Sequence, residues 1–165
     1  MKAYLAVLFT LLAQYAFAQQ AVPQATGAAR AQASRFLGTW VLDPGKSTFE
    51  SGQRLTSQTR TYEAFGNGQK STIESVDAAG SRGKYGYSAR FDGRYYPISG
   101  TGIPNEADAI TITRIDDTTI GATLQKAGRE VMQAKLTVSG DGKVLTIRRT
   151  GSTSAVLVFN RQPAP

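Results

Sequence analysis

The sequence predicts an all-β fold: a single antiparallel up-and-down β-barrel of about ten strands. Three observations predict it. Short stretches alternate apolar and polar side chains with a period of two, as half-buried strands do. Turn-forming Gly, Asp and Asn separate these stretches at close intervals. No stretch of helical length carries an apolar repeat of 3.6 residues.

Taken in chain order, the first element is not part of the barrel. Met1-Lys2 precedes an uncharged apolar run over residues 3–13, and Ala16-Phe17-Ala18 follows it. A basic start, a short apolar stretch and a small-x-small site are the layout of a secretory signal peptide over residues 1–18, with cleavage expected between Ala18 and Gln19. The run is shorter than the ~20 apolar residues of a membrane-spanning helix, and no later segment comes closer. The expectation is therefore an exported protein, periplasmic or secreted, with no membrane span. Residues 19–35 are rich in Ala and Gln and contain Pro and Gly, which predicts a flexible leader. The barrel domain is expected over residues 36–161, with a tail at 162–165.

Within that domain the strands are predicted at 36–43, 57–65, 69–77, 84–92, 94–100, 108–115, 118–125, 130–138, 143–150 and 155–161. Gly66-Asn67-Gly68, Asp92-Gly93, Asp116-Asp117, Ala127-Gly128 and Asp141-Gly142 supply tight turns, several with the positive φ that such turns need. Neighbours in sequence that pair into an open meander would leave two bare edges, and closure into a barrel removes them. Tyr85, Tyr87, Ala89 and Phe91 share one face of a strand, and Met132, Ala134, Leu136 and Val138 share another. Arg114 continues the Ile110-Ile112 face and Arg149 the Leu145-Ile147 face. Both arginines lie near strand ends, so a barrel rim is expected to receive them, because an unpaired buried cation is costly.

Composition removes several function classes. There is no Cys and no His, so the usual ligands of zinc, copper and haem are missing, as are Cys-His and Ser-His catalytic pairs. No metal, no cofactor and no catalytic residue is expected, and the chain does not read as an enzyme. Asp77, Asp92, Asp116, Asp117 and Asp141 each lie beside a predicted turn and lack the alternating ligands of a calcium loop, so turn duty is expected of them. The formal net charge of +7 is spread along the chain without a dense basic run, which gives no specific nucleic-acid signal.

Phe36-Leu37-Gly38-Thr39-Trp40-Val41-Leu42-Asp43 resembles the Gly-x-Trp opening strand of lipocalins and intracellular fatty-acid-binding proteins. The resemblance implies that Gly38 and Trp40 close one barrel end, with a basic side chain from a late strand, Arg149 or Arg161, over the indole. The longer wording, with Pro44, Lys46 and Ser47, then Thr61-Tyr62-Glu63-Ala64 and Phe91-Asp92-Gly93 ahead of Pro97, is similar to a group of small exported bacterial lipocalin-like (calycin-type) barrels. It departs from the fatty-acid-binding pattern at 44–56, where Pro44, Gly45 and Gly52 oppose a two-helix lid. Gly38-Thr39-Trp40 also resembles avidin, but Trp40 is the only Trp and cannot build an aromatic box.

The function expected from all this is an exported barrel that binds a small lipid or other amphipathic ligand, apolar or anionic. Its apolar lining is expected from Tyr85, Tyr87, Phe91 and Met132, and its anion contacts from Arg114 and Arg149. The alternative is a structural or interaction barrel with a filled core and no ligand. A monomer is expected in either case.

Overall fold

A computed structural model describes residues 35–50, 54–152 and 154–163. The expected signal segment and nearly all of the expected leader lie outside the described residues.

Eleven strands form one antiparallel sheet: β1 (Gly38–Leu42), β2 (Thr48–Phe49), β3 (Leu55–Phe65), β4 (Gly68–Asp77), β5 (Arg82–Arg90), β6 (Tyr96–Thr101), β7 (Ala109–Arg114), β8 (Thr119–Lys126), β9 (Arg129–Val138), β10 (Val144–Gly151) and β11 (Ala155–Arg161). A short 3-10 turn, Pro104–Glu106, joins β6 to β7. From β3 to β11 each strand pairs with its neighbour in sequence. β1 pairs with β3 on one side and β11 on the other, which closes the ring. The short β2 also lies on β11, so β1 and β2 are one interrupted barrel strand and the closed barrel has ten. Ring closure leaves no bare edge, the physical reason such a chain settles on this architecture.

The interruption has a local cause. The chain turns at Pro44-Gly45, and the Ser47 hydroxyl donates to the Asp43 carbonyl at 2.8 Å. The same hydroxyl accepts the Val158 amide of β11 at 3.0 Å, standing in for a strand carbonyl. Pairing with β11 then resumes at Thr48 and Phe49. No helix occurs among the described residues of this stretch.

Turn chemistry sets the remaining connections. Ala127 and Gly128 both take positive φ, the geometry of a two-residue hairpin that follows the strand twist. The carboxylates act as expected. Asp77 accepts the amides of Ala79 and Ser81 at 2.9 Å each, Asp92 that of Arg94 at 3.1 Å, Asp116 that of Thr118 at 2.8 Å and Asp141 that of Lys143 at 3.1 Å.

The hydrophobic core lies inside the barrel. Ile112, Ile120, Leu145, Ile147, Leu157 and Phe159 point inward from β7, β8, β10 and β11, as period-two alternation requires. The inward faces of β3 and β4 differ. Gln58, Arg60 and Tyr62 are buried on β3, and Gln69, Ser71 and Ile73 on β4, so one wall of the interior is largely polar.

Candidate ligand pocket

The residues of Gly38-Thr39-Trp40 build one end of the barrel. Trp40 is 0% exposed, and its indole N–H donates to the Phe36 carbonyl at 2.8 Å. The Arg161 guanidinium stacks 4.1 Å from the indole centroid. It is fixed there by donating to the carbonyls of Gly142 at 2.6 Å, Leu37 at 2.5 Å and Arg35. Of the two candidate covering residues, Arg161 holds the place and Arg149 does not. Gly38 has φ +114, and a Cβ there would come to 3.0 Å from the Arg161 guanidinium, so this position favours glycine on both counts.

Deeper in the barrel is a cavity of about 40 Å³. Ile73, Ile98, Ile110, Leu124, Met132 and Leu136 give it apolar walls, Pro104 closes it on the side of the β6–β7 connection, and Tyr85, Tyr87, Arg60 and Arg149 bring the polar atoms. The register explains the convergence. Arg60 lies opposite Trp40 on one side and Ile73 on the other, Ile73 lies opposite Tyr85, and Arg149 lies opposite Ala134.

Arg60 is 8% exposed and Arg149 likewise 8%. Arg60 donates to Gln58 Oε1 at 2.8 Å and to the Tyr62 hydroxyl at 3.2 Å, and its guanidinium lies 5.4 Å from the Phe159 ring centroid. All of these partners are neutral. Arg149 Nε is buried and has no hydrogen-bond partner among the described residues. Burial, and then the Arg60 charge beside it, pull the Arg149 guanidinium below its ordinary range. Gln69 donates to the Tyr87 hydroxyl at 3.0 Å, and burial above all holds that phenol above its usual range. The ion pairs Lys46–Asp43, Lys70–Glu63, Lys84–Glu74 and Lys126–Glu106 involve neither Arg60 nor Arg149. Among the described residues the one buried carboxylate, Asp77, is occupied with its own turn.

The structure divides the expected site residues. Tyr85, Tyr87, Met132 and Arg149 line the cavity together. Arg149 lies inside the barrel, and the expectation of a solvated rim is corrected for it: the β10 face that carries Leu145 and Ile147 stays inward for one more step. Phe91 and Arg114 do not line the cavity. They lie at the Trp40 end, where Arg114 stacks 4.6 Å from the Phe91 ring centroid. Sequence reasoning missed Arg60. The signal for it was parity with Tyr62, two residues on in the same strand.

No family model matches the chain, and no curated protein matches it. Among solved structures it is similar to a Schistosoma mansoni fatty acid binding protein in complex with arachidonic acid, at 14% identity and TM-score 0.52, over 80% of this chain and 99% of that one. A redesigned β-barrel, mFAP1, bound to DFHBI, is similar at 12% identity and TM-score 0.47, over 79% of this chain and 99% of that one. The class that the fold defines is thus a closed ten-strand antiparallel barrel with neighbours in the fatty-acid-binding-protein fold. At such low identity the likeness establishes the fold alone.

Proposed function

We propose that this chain is an exported binding barrel of the lipocalin-like kind that holds a small anionic amphipathic ligand, with the anionic group between Arg60 and Arg149. One observation carries the reading: two guanidinium groups are buried beside a cavity, and no carboxylate among the described residues pairs with either. Moving one cation out of water costs several kcal/mol even after relaxation, and partial hydrogen bonding to neutral groups offsets only part of that. An anion that enters the cavity supplies the missing partner and makes charge-assisted bonds with both groups. The Met1-Lys2, apolar and Ala-Phe-Ala layout supports export.

Size limits the ligand. Drug-sized ligands occupy about 300–1,000 Å³, and the cavity of about 40 Å³ has room for roughly three waters or one acid group. An apolar tail has to displace lining side chains, and Met132, unbranched and polarizable, is the most adaptable of them. The small volume also favours the second reading, a filled barrel that binds nothing and acts through its exterior.

The variant Arg149→Met separates the two. On the binding reading, the unliganded protein gains about 1–3 kcal/mol in urea denaturation, because a poorly partnered buried charge gives way to an apolar side chain of similar length. Affinity for octanoate, measured by calorimetry, falls at least about tenfold, the loss of ~1.4 kcal/mol of contact. On the filled-barrel reading, Arg149 is a structural strut. Stability then falls, and neither protein binds octanoate.

A further inference from the structure

We infer that the anionic group this pocket takes carries two negative charges on one centre, as a phosphate monoester does, rather than the single charge of a carboxylate. The inference rests on the binding reading above and specifies its ligand class.

Charge balance is the argument. Arg60 and Arg149 bring two positive charges to one small interior cavity. Their neighbours there are neutral: Gln58 and Tyr62 on Arg60, Tyr85 and Tyr87 across the space, and apolar residues from β4, β6, β7, β8 and β9. A monoanion would leave one net positive charge buried, with the desolvation cost that entails. A dianion cancels both. Geometry adds a second argument. Arg149 Nε is a buried donor with no acceptor among the described residues, and Arg60 already spends Nε on Gln58 and Nη1 on Tyr62. Each guanidinium therefore keeps donors for a different oxygen. A tetrahedral group with three terminal oxygens can accept from both sides and still meet a tyrosine hydroxyl, whereas a planar carboxylate has two oxygens to share. The space available suits a compact head better than a long chain.

The test uses the ligand's own titration. The second ionisation of a phosphate monoester lies near about pH 6, so such a ligand changes from monoanion to dianion between about pH 5 and 8. Neither histidine nor carboxylate lines the pocket. Its ionisable lining groups are Arg60 from β3, Tyr85 and Tyr87 from β5 and Arg149 from β10, with the Tyr62 hydroxyl behind Arg60, and the other strands facing the space contribute no titratable side chain. Arginine and tyrosine ionise at about 10 or above. Calorimetry with mono-octyl phosphate, octanoate and octanol on the purified chain is expected to give phosphate binding at least about tenfold tighter than octanoate at about pH 8, a ratio that narrows towards one by about pH 5.5, where the phosphate is largely a monoanion and the carboxylate still largely ionised, and octanol binding too weak to measure. In Arg149→Gln the pH trend for octyl phosphate is expected to vanish while residual affinity remains. Equal affinity for phosphate and octanoate at all pH values overturns the dianion inference and leaves the binding barrel standing. Octanol binding as well as either acid removes the arginine head site itself. Binding of none of the three overturns both readings.

Discussion

Trp40 shows how much one side chain can organise. Its ring is out of solvent, its N–H is satisfied by the Phe36 carbonyl at 2.8 Å, and Arg161 covers its face at 4.1 Å while donating to three carbonyls. The guanidinium thus ties the residues before β1 and the β9–β10 turn to the last strand. Trp40→Ala removes the largest fully buried side chain and is expected to cost about 3–5 kcal/mol, much of a domain's stability, read from the urea midpoint at unchanged slope. A loss below about 1 kcal/mol would mean that the end refills or was never closed by the indole. Trp40 was legible in the sequence because Gly-x-Trp at a strand start is a local pattern. Arg60 was not. Its strand reads Leu55-Thr56-Ser57-Gln58-Thr59-Arg60-Thr61-Tyr62, and both faces of it are polar except for Leu55 on one and Tyr62 on the other. An alternation test finds an inward face by its apolar residues, so an interior wall made of Gln, Arg, Ser and Tyr erases the signal it relies on. Arg149 was visible because Leu145 and Ile147 precede it, yet its depth was misjudged for a physical reason: buried cations without partners are disfavoured unless something else meets them.

At the scale of elements, the strands were legible and their irregularities were not. Alternation and turn dipeptides located ten barrel strands to within two residues at their ends, leaving out the continuation of the first as β2. They could not show that Ser47 would replace a carbonyl and let β2 resume beside β11, because that depends on a residue more than a hundred positions away. The turns themselves respond to pH in a predictable direction. The carboxyl groups are held below the ordinary 3.8 by hydrogen bonds: Asp92 first by the Tyr96 hydroxyl, Asp116 first by the Thr118 amide and Asp141 first by the Ser139 hydroxyl. A folded-state pKa below the unfolded one stabilises the fold at pH above the unfolded value, and this contribution disappears as pH falls through the folded value. Stability is therefore expected to be flat above about pH 5 and to decline towards about pH 2, with the side-chain carboxyl resonances of these three residues titrating below those of model peptides. Titration of all three at or above 3.8 would mean that these hydrogen bonds do not persist in solution.

At the scale of the whole molecule, closure makes every strand depend on two neighbours, so the ring is as tight as its weakest seam. That seam lies between β6 and β7. The two strands pair at Tyr96–Ile110 and Pro97–Ala109, with one further bond from the Ile98 amide to the Asp108 carbonyl at 2.9 Å, whereas β3 and β4 pair along nearly their whole length. The sequence explains the weakness. Pro97 has no amide to donate, and Gly100 and Gly102 both take positive φ, which steers the chain away from β7 and into the Pro104 turn. Asn105 and Glu106, neither of them glycine, follow with φ 54 and 51, a conformation that costs of order 1 kcal/mol each. The turn is held by the Asn105 amide on the Val131 carbonyl at 3.3 Å and by Glu106 on Lys126 at 2.6 Å. Pro104 from this same turn lines the cavity. The least paired part of the ring therefore lies against the space a ligand would enter, and local opening there needs few bonds to break. In hydrogen–deuterium exchange, residues 99–108 are expected to exchange well before β3 and β4. Octanoate or octyl phosphate should slow exchange in 99–108 more than anywhere else in the barrel, since a bound ligand stabilises only the closed form. Uniform protection around the ring, or slowing confined to the Trp40 end, would move the access route away from the β6–β7 seam.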